Sequence, residues 1–240
     1  MARVTEIFRP ADFSGEPDAA TKAGLEALWR HLFPGTGGEG EPHAGYAILA
    51  HSPQTALQVA KMTDFVIGDL PWAQRRDLRE LAVQALNWHF KCDFSWEAHL
   101  ELAQLAGISL EQQQAIAGWR TSSLFDDEQR LVIEYTLACV TGQVPEELFA
   151  RVVAWFGEAG AVEFTVTVGW WSLWAMLLNA TRPEFSAARS RPLPKDGQER
   201  ERYEPGYALP PAARSPRRRQ PPARRCHVFG HVVERRHGGR

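Results

Sequence analysis

Apolar positions through the first 180 residues recur at helical spacing, segment after segment. In "DAATKAGLEALWRHLF" (18–33), Leu25, Leu28, Trp29 and Leu32 fall at i, i+3, i+4 and i+7, one stripe on one side of a helix. "PGTGGEGEP" (34–42) is rich in turn formers and reads as a connector. A short apolar segment, "YAILAH" (46–51), precedes Pro53. "QTALQVAKMTDFVIGDL" (54–70) predicts a second long helix, ended by Pro71, which lacks a backbone donor and clashes with the preceding turn. "RRDLRELAVQALNWHFK" (75–91) carries the stripe Leu78, Leu81, Ala82, Ala85 and Leu86.

The next helix, "WEAHLELAQLAG" (96–107), stops at Gly107, a residue suited to the left-handed conformation that ends helices. "SLEQ" (109–112) is a capping-box pattern and opens a short helix. "DDEQ" (126–129) places acids where the positive end of a helix favours them, and that helix should run to Gly142. Pro145 opens another, expected to stop at Gly157–Gly160. "VEFTVTVG" (162–169) alternates like a strand, but it runs unpunctuated into "WWSLWAMLLNA", too long for an ordinary strand. With every other element helical, a lone strand would lack a partner, so one buried helix is expected. The pattern predicts an all-α fold.

Charge changes the picture at the C-terminal end. The whole chain has a net charge of −2, but residues 1–180 carry 12 basic and 23 acidic side chains, and residues 181–240 carry 15 basic and 6 acidic ones. Residues 183–240 also hold 9 of the 16 prolines and 13 arginines. So few aliphatics cannot offset the entropy of ordering the chain, and residues 185–240 are expected to be a disordered tail irrelevant to the main activity. "RRRQPPARR" has no interleaved aromatic platform, so no nucleic-acid partner is expected. The longest uncharged apolar run, "FTVTVGWWSLWAMLL" (164–178), falls short of the roughly 20 residues that span a bilayer, and no secretory leader is visible. No membrane association is expected, and the three cysteines give no disulfide framework. A cytoplasmic, reducing compartment is the expectation. The expected organisation is 1–43 as a helix and linker, 44–184 as a helical domain, and 185–240 as the tail.

The candidate chemistry lies in "KCDFSWEAHLELAQLAGIS" (91–109), where Cys92, Ser95 and His99 follow C-x2-S-x3-H at a helix start. A thiol in a first turn feels the positive helix end, which favours thiolate. His99 lies on the same face and could relay a proton. Glu80, on the polar side of the preceding helix, would come beside His99 if the two helices are antiparallel. Against this stands the ordinary fate of such residues: cysteine buried as a small hydrophobe, and histidine hydrogen-bonded or solvated. His89, three residues before Cys92, is a second candidate base.

The segment Arg76–Ile116 resembles the carboxymuconolactone decarboxylase family, which includes the AhpD-like alkylhydroperoxidases. Glu80 in "RELA" matches the family glutamate, Cys92 the first cysteine of C-x-x-C, and His99 the histidine, with Trp96 and "AQLAGIS" (103–109) around them. The likeness is looser over Tyr46–Glu184. It implies an all-helical bundle that forms trimers or hexamers. The redox members carry a second cysteine that attacks the hydroperoxide; Ser95 stands there, and a hydroxyl cannot close an intramolecular disulfide. The resemblance therefore implies a one-thiol peroxidase: Cys92 oxidised by a peroxide and recycled by an external thiol reductant, with Glu80 and His99 moving protons. Two alternatives remain open. One is a non-redox lyase or isomerase on a small carboxylated or lactone-like molecule, with Cys92 and Ser95 as pocket walls. The other is an oligomeric scaffold without catalysis. No cofactor and no metal is expected for any of them.

Overall fold

The computed structural model describes residues 2–184; the Pro/Arg-rich tail, with Cys226, lies outside the described residues. These residues contain eight α-helices and no strand. They are α1 (Ala19–Leu32), α2 (Ala44–Leu49), α3 (Pro53–Asp64), α4 (Arg76–Phe90), α5 (Asp93–Leu105), α6 (Leu110–Gln114), α7 (Asp127–Thr141) and α8 (Glu146–Thr181). The expected boundaries mostly hold. Ser109 and Gln112 close a capping box at α6, and Asp126 and Gln129 close another at α7. Gly142 ends α7 in the left-handed conformation.

Three boundaries differ, each for a local reason. The second predicted long helix is interrupted: after Asp64 the chain widens into one π-type turn, with the Leu70 amide donating to the Phe65 carbonyl at 3.0 Å. Pro71 then starts a short 3-10 turn at Trp72–Gln74. Most of "YAILAH", residues 46–49, lies in the helix α2, capped by His43. The helix opened at Pro145 does not stop at Gly157–Gly160 but runs on in α8 through the segment that alternates like a strand, which is helical as expected. Gly157, at φ 75° and ψ 169°, divides α8 into two helical stretches, a conformation essentially confined to glycine.

Helix α4 is the central element, packed against α5, α7 and α8. Its inner face buries Leu78, Leu81, Ala82, Ala85 and Leu86. Phe164 of α8 stacks on Trp72 with ring centroids 3.9 Å apart. Removing such side chains from water contributes about 1.5–3 kcal/mol each. A second cluster joins Leu25, Leu28 and Trp29 of α1 to Ala56 and Ala60 of α3, with Ile7 and Tyr46 beside them and Trp174 from α8. The N-terminal segment is thus tied to the rest, and the Arg3 amide also donates to the Thr181 carbonyl.

By length and composition α8 could cross a membrane, but many of its apolar side chains, including Ala161, Phe164, Val168, Trp171, Trp174 and Leu178, are buried against other helices. Its exposed side carries Val162, Val166, Leu173 and Met176.

Candidate active site

The turn between α4 and α5 sets the geometry. Lys91 adopts φ 51°, a left-handed conformation that costs a side chain roughly 1–2 kcal/mol, and so reverses the chain within two residues. The Cys92 amide donates back to the Asn87 carbonyl at 3.0 Å. The Asn179 side chain, from α8, donates to the Phe90 carbonyl at 2.8 Å. These bonds occupy carbonyls that the end of α4 would otherwise leave open. Helix α5 then runs back along α4, and His99 meets Glu80.

The meeting is a hydrogen bond of 2.7 Å between His99 Nδ1 and Glu80 Oε2. The other carboxylate oxygen, Oε1, accepts from Arg79 Nε and a terminal guanidinium nitrogen, both at 3.1 Å. Arg79 also donates to the Ala73 carbonyl. The expected place of Glu80 on the polar side of α4 is corrected: the side chain is 2% exposed, buried between Arg79 and His99. Burial raises its pKa, but the bond to and charge of His99, with Arg79 behind, outweigh this and hold it below the ordinary value.

His99 is fixed at both nitrogens. The Trp171 indole Nε1–H, from α8, donates to His99 Nε2 at 3.3 Å. Accepting at Nε2 places the neutral ring's proton on Nδ1, toward the glutamate. A carboxylate that orients one imidazole nitrogen while the other keeps a lone pair is the arrangement of a general base. The 3.3 Å indole contact is weak enough for a reacting group to displace it.

Cys92 and Ser95 are also buried, at 0% and 4% exposure. Cys92 occupies the N-cap of α5 without a side-chain capping bond, and the Ser95 backbone amide near its sulfur acts to lower its pKa. That amide favours thiolate, as does the helix end, yet burial dominates and pushes the thiol up to about 11. The expected low-pKa thiolate is therefore corrected: at neutral pH Cys92 is a protonated thiol. Seven residues of helix also separate it from His99, about 10.5 Å of axial rise, and Ser95 stands one turn nearer. The structure thus brings Glu80 and His99 together, and leaves Cys92 about two turns away, at the start of the same helix. His89, the alternative base, is exposed at the end of α4 and packs edge-on against Phe90.

Three participants carried no sequence signal of their own: Arg79, Trp171 and His43, whose ring lies close enough to His99 to feel its charge. Arg79 could have been suspected, since a buried carboxylate needs a cation. Trp171 and His43 are remote in sequence and are recruited only by packing. Around the turn, Gln84, Asn87 and Gln113 form a buried amide chain, with Gln84 Nε2 donating to Gln113 Oε1 at 2.7 Å. Gln84 also donates to the Trp96 carbonyl, pinning α5 beside α4.

Comparison with known proteins places the fold. No family model matches the chain. One curated relative, the uncharacterized protein YnjA of Escherichia coli (strain K12), is 36% identical over 81 residues, which cover 32% of this chain and 44% of that protein. The match thus spans less than half of the relative's length. Among solved structures, the debrominase Bmp8 is similar in two forms. A cysteine-to-alanine variant in complex with 2,3,4-tribromopyrrole gives a TM-score of 0.54 at 13% identity, covering 72% of this chain and 91% of that one. The apo form gives 0.51 at 14% identity with the same coverage. At such identity the likeness bears on architecture, and the architecture is an AhpD-like helical fold.

Proposed function

We propose that this protein is an AhpD-like enzyme whose working group is His99, acting as general base and acid on a small molecule that bears a carboxylate or lactone. Glu80 orients the imidazole and stabilises its protonated form, and Arg79 holds the other carboxylate oxygen. Cys92 and Ser95 wall the site. The observation that carries this reading is the 2.7 Å bond from His99 Nδ1 to a buried, ionised carboxylate. The reaction class is proton transfer coupled to lyase or isomerase chemistry. Positioned general catalysts contribute about 10²–10⁴-fold. Over a panel of small carboxylated lactones, His99→Ala should therefore lose at least 100-fold in turnover, Glu80→Gln should lose much of it, and Cys92→Ala should keep it. Turnover that survives His99→Ala and vanishes in Cys92→Ala would overturn the reading.

A second reading, a thiol-dependent peroxidase, is favoured by the Ser95 amide at the Cys92 sulfur. The tribromopyrrole-bound debrominase, which carries a cysteine-to-alanine substitution, adds to it. The thiol would attack a hydroperoxide, giving sulfenic acid and an alcohol. Two external thiols would then return Cys92 to thiol, releasing a disulfide and water. Hydroperoxide consumption with dithiothreitol that disappears in Cys92→Ala would establish it.

Association with further copies of the chain is part of the proposal. Trp171 and Trp174 are buried within the chain, and the exposed row of Val162, Val166, Leu173 and Met176 on α8 supplies the apolar surface.

A further inference from the structure

We infer that His43 is a substrate-orienting residue of this site, presenting its Nε2–H to a carbonyl or carboxylate oxygen of the molecule on which His99 acts; the inference rests on the acid/base reading above. His43 precedes the whole segment that carries the family resemblance, and its position is built from packing. It caps α2, and its Nδ1 accepts the Gly45 amide at 3.2 Å. With Nδ1 engaged as an acceptor, the neutral ring carries its proton on Nε2.

The ring is held in place. It lies 4.7 Å from the Tyr46 ring and 5.6 Å from the Trp174 ring, centroid to centroid. Gly45 packs beneath so closely that a Cβ would come within 2.7 Å of Trp174 and 2.9 Å of His43. Trp174 stands one turn beyond Trp171 on α8, and Trp171 holds His99. The two imidazoles thus approach the same stretch of α8, His43 from α2 and His99 from α5. The Tyr46 hydroxyl donates to Thr63 at 3.0 Å, so it does not compete for the His43 donor.

The charges around the pair favour a neutral donor. Crowding of the ring, then the charge of His99, push the His43 pKa down. The ring stays exposed to solvent, so crowding counts for less than full burial would, but both causes act in one direction. The remaining charges beside His99, Glu80 and Arg79, pair with each other. A neutral imidazole can donate a hydrogen bond without taking the proton that His99 is to move. Tyr46 and Trp174, both buried, hold the imidazole in one orientation, and benzoate is the simplest flat molecule with an acceptor oxygen at its edge to meet it.

The alternative is that His43 only caps α2. Asparagine is a good cap and lacks the distal N–H, so His43→Asn separates the two roles. Calorimetric titration of the full chain with benzoate at pH 7 should show affinity about tenfold weaker in His43→Asn, the size of one lost hydrogen bond to a charged group, with an unchanged melting temperature. His43→Gln, whose amide reaches further, should recover part of the loss. Equal affinity in wild type and His43→Asn, or no benzoate binding by the wild type, would overturn the inference. Binding is read without turnover. A failure here therefore leaves the His99 chemistry standing, whereas failure of that chemistry shows as undiminished turnover in His99→Ala.

Discussion

Glu80 and Cys92 are both acids, both almost fully buried, and twelve residues apart on one helical hairpin, yet they ionise in opposite senses. Glu80 is held below its ordinary value, and Cys92 is pushed up to about 11. Burial acts the same way on each, against the charged form. The difference is in partners. Glu80 has a guanidinium on one oxygen and an imidazole on the other. Cys92 has one backbone amide, and the nearby Asp93 charge works against it. A helix N-terminus is worth a fraction of a kcal/mol to an anion, too little to offset the loss of water around a buried sulfur. Position at a helix start therefore does not make a reactive thiol unless a cation or solvent reaches it.

The largest expected effect breaks the better-partnered region. Glu80→Ala leaves Arg79, 11% exposed, as a buried charge without its carboxylate. Breaking such a pair costs about 3–5 kcal/mol, so a large fall in denaturation midpoint is expected. Cys92→Ala removes one buried sulfur and should cost about 1–2 kcal/mol. Equal losses in the two variants would show that the ion pair is not what distinguishes the regions.

Next in size is the pH dependence of stability, which should separate the regions at opposite ends of the scale. Glu80 has a lowered folded pKa, so its contribution is present above the unfolded value near 4.3 and is lost as pH falls through the folded one. Cys92 has a raised folded pKa of about 11. Stability should fall as pH rises from the unfolded value near 8.5 toward it, because the unfolded chain ionises first. Urea titrations across pH should show the acid loss blunted in Glu80→Gln and the alkaline loss blunted in Cys92→Ala. An alkaline limb identical in Cys92→Ala would contradict the upward shift.

The smallest effect concerns the weak contact on the far side of His99. Trp171→Phe keeps the ring and deletes the indole donor, at a cost of about 1 kcal/mol or less in stability. It leaves His99 Nε2 without its 3.3 Å contact, and imidazole nitrogen NMR should record the change at Nε2 while the Nδ1–Glu80 bond persists. Loss of the Nδ1 signature as well would mean that Trp171, rather than Glu80, orients the ring.

Much of this hairpin could be read from the sequence. The stripe of α4, the short turn and the period of α5 together predict antiparallel neighbours, and antiparallel neighbours bring Glu80 to His99. The sense of the Cys92 shift could not be read that way. It depends on how much protein covers the sulfur, and that is decided by the core in which Cys92 is buried with side chains of α4, α7 and α8, which no local pattern ties to Cys92. Trp171 and His43 were invisible for the same reason. The interruption of the second predicted helix follows from a single turn, Phe65–Asp69, in which the apolar residues still fit the helical period while the backbone bonds shift by one residue.

The central claim is that protons are handled at Glu80–His99 while Cys92 rests as a neutral thiol. Its most direct test is the rate of Cys92 alkylation as a function of pH, resolved by peptide mapping. The account predicts an apparent pKa near the structural value of about 11, with Cys92 slower at neutral pH than the half-buried Cys139 and little altered by His99→Ala. A Cys92 thiolate that persists below pH ~8.5, the ordinary cysteine value, and that is lost in His99→Ala, would contradict it and return the site to thiol chemistry.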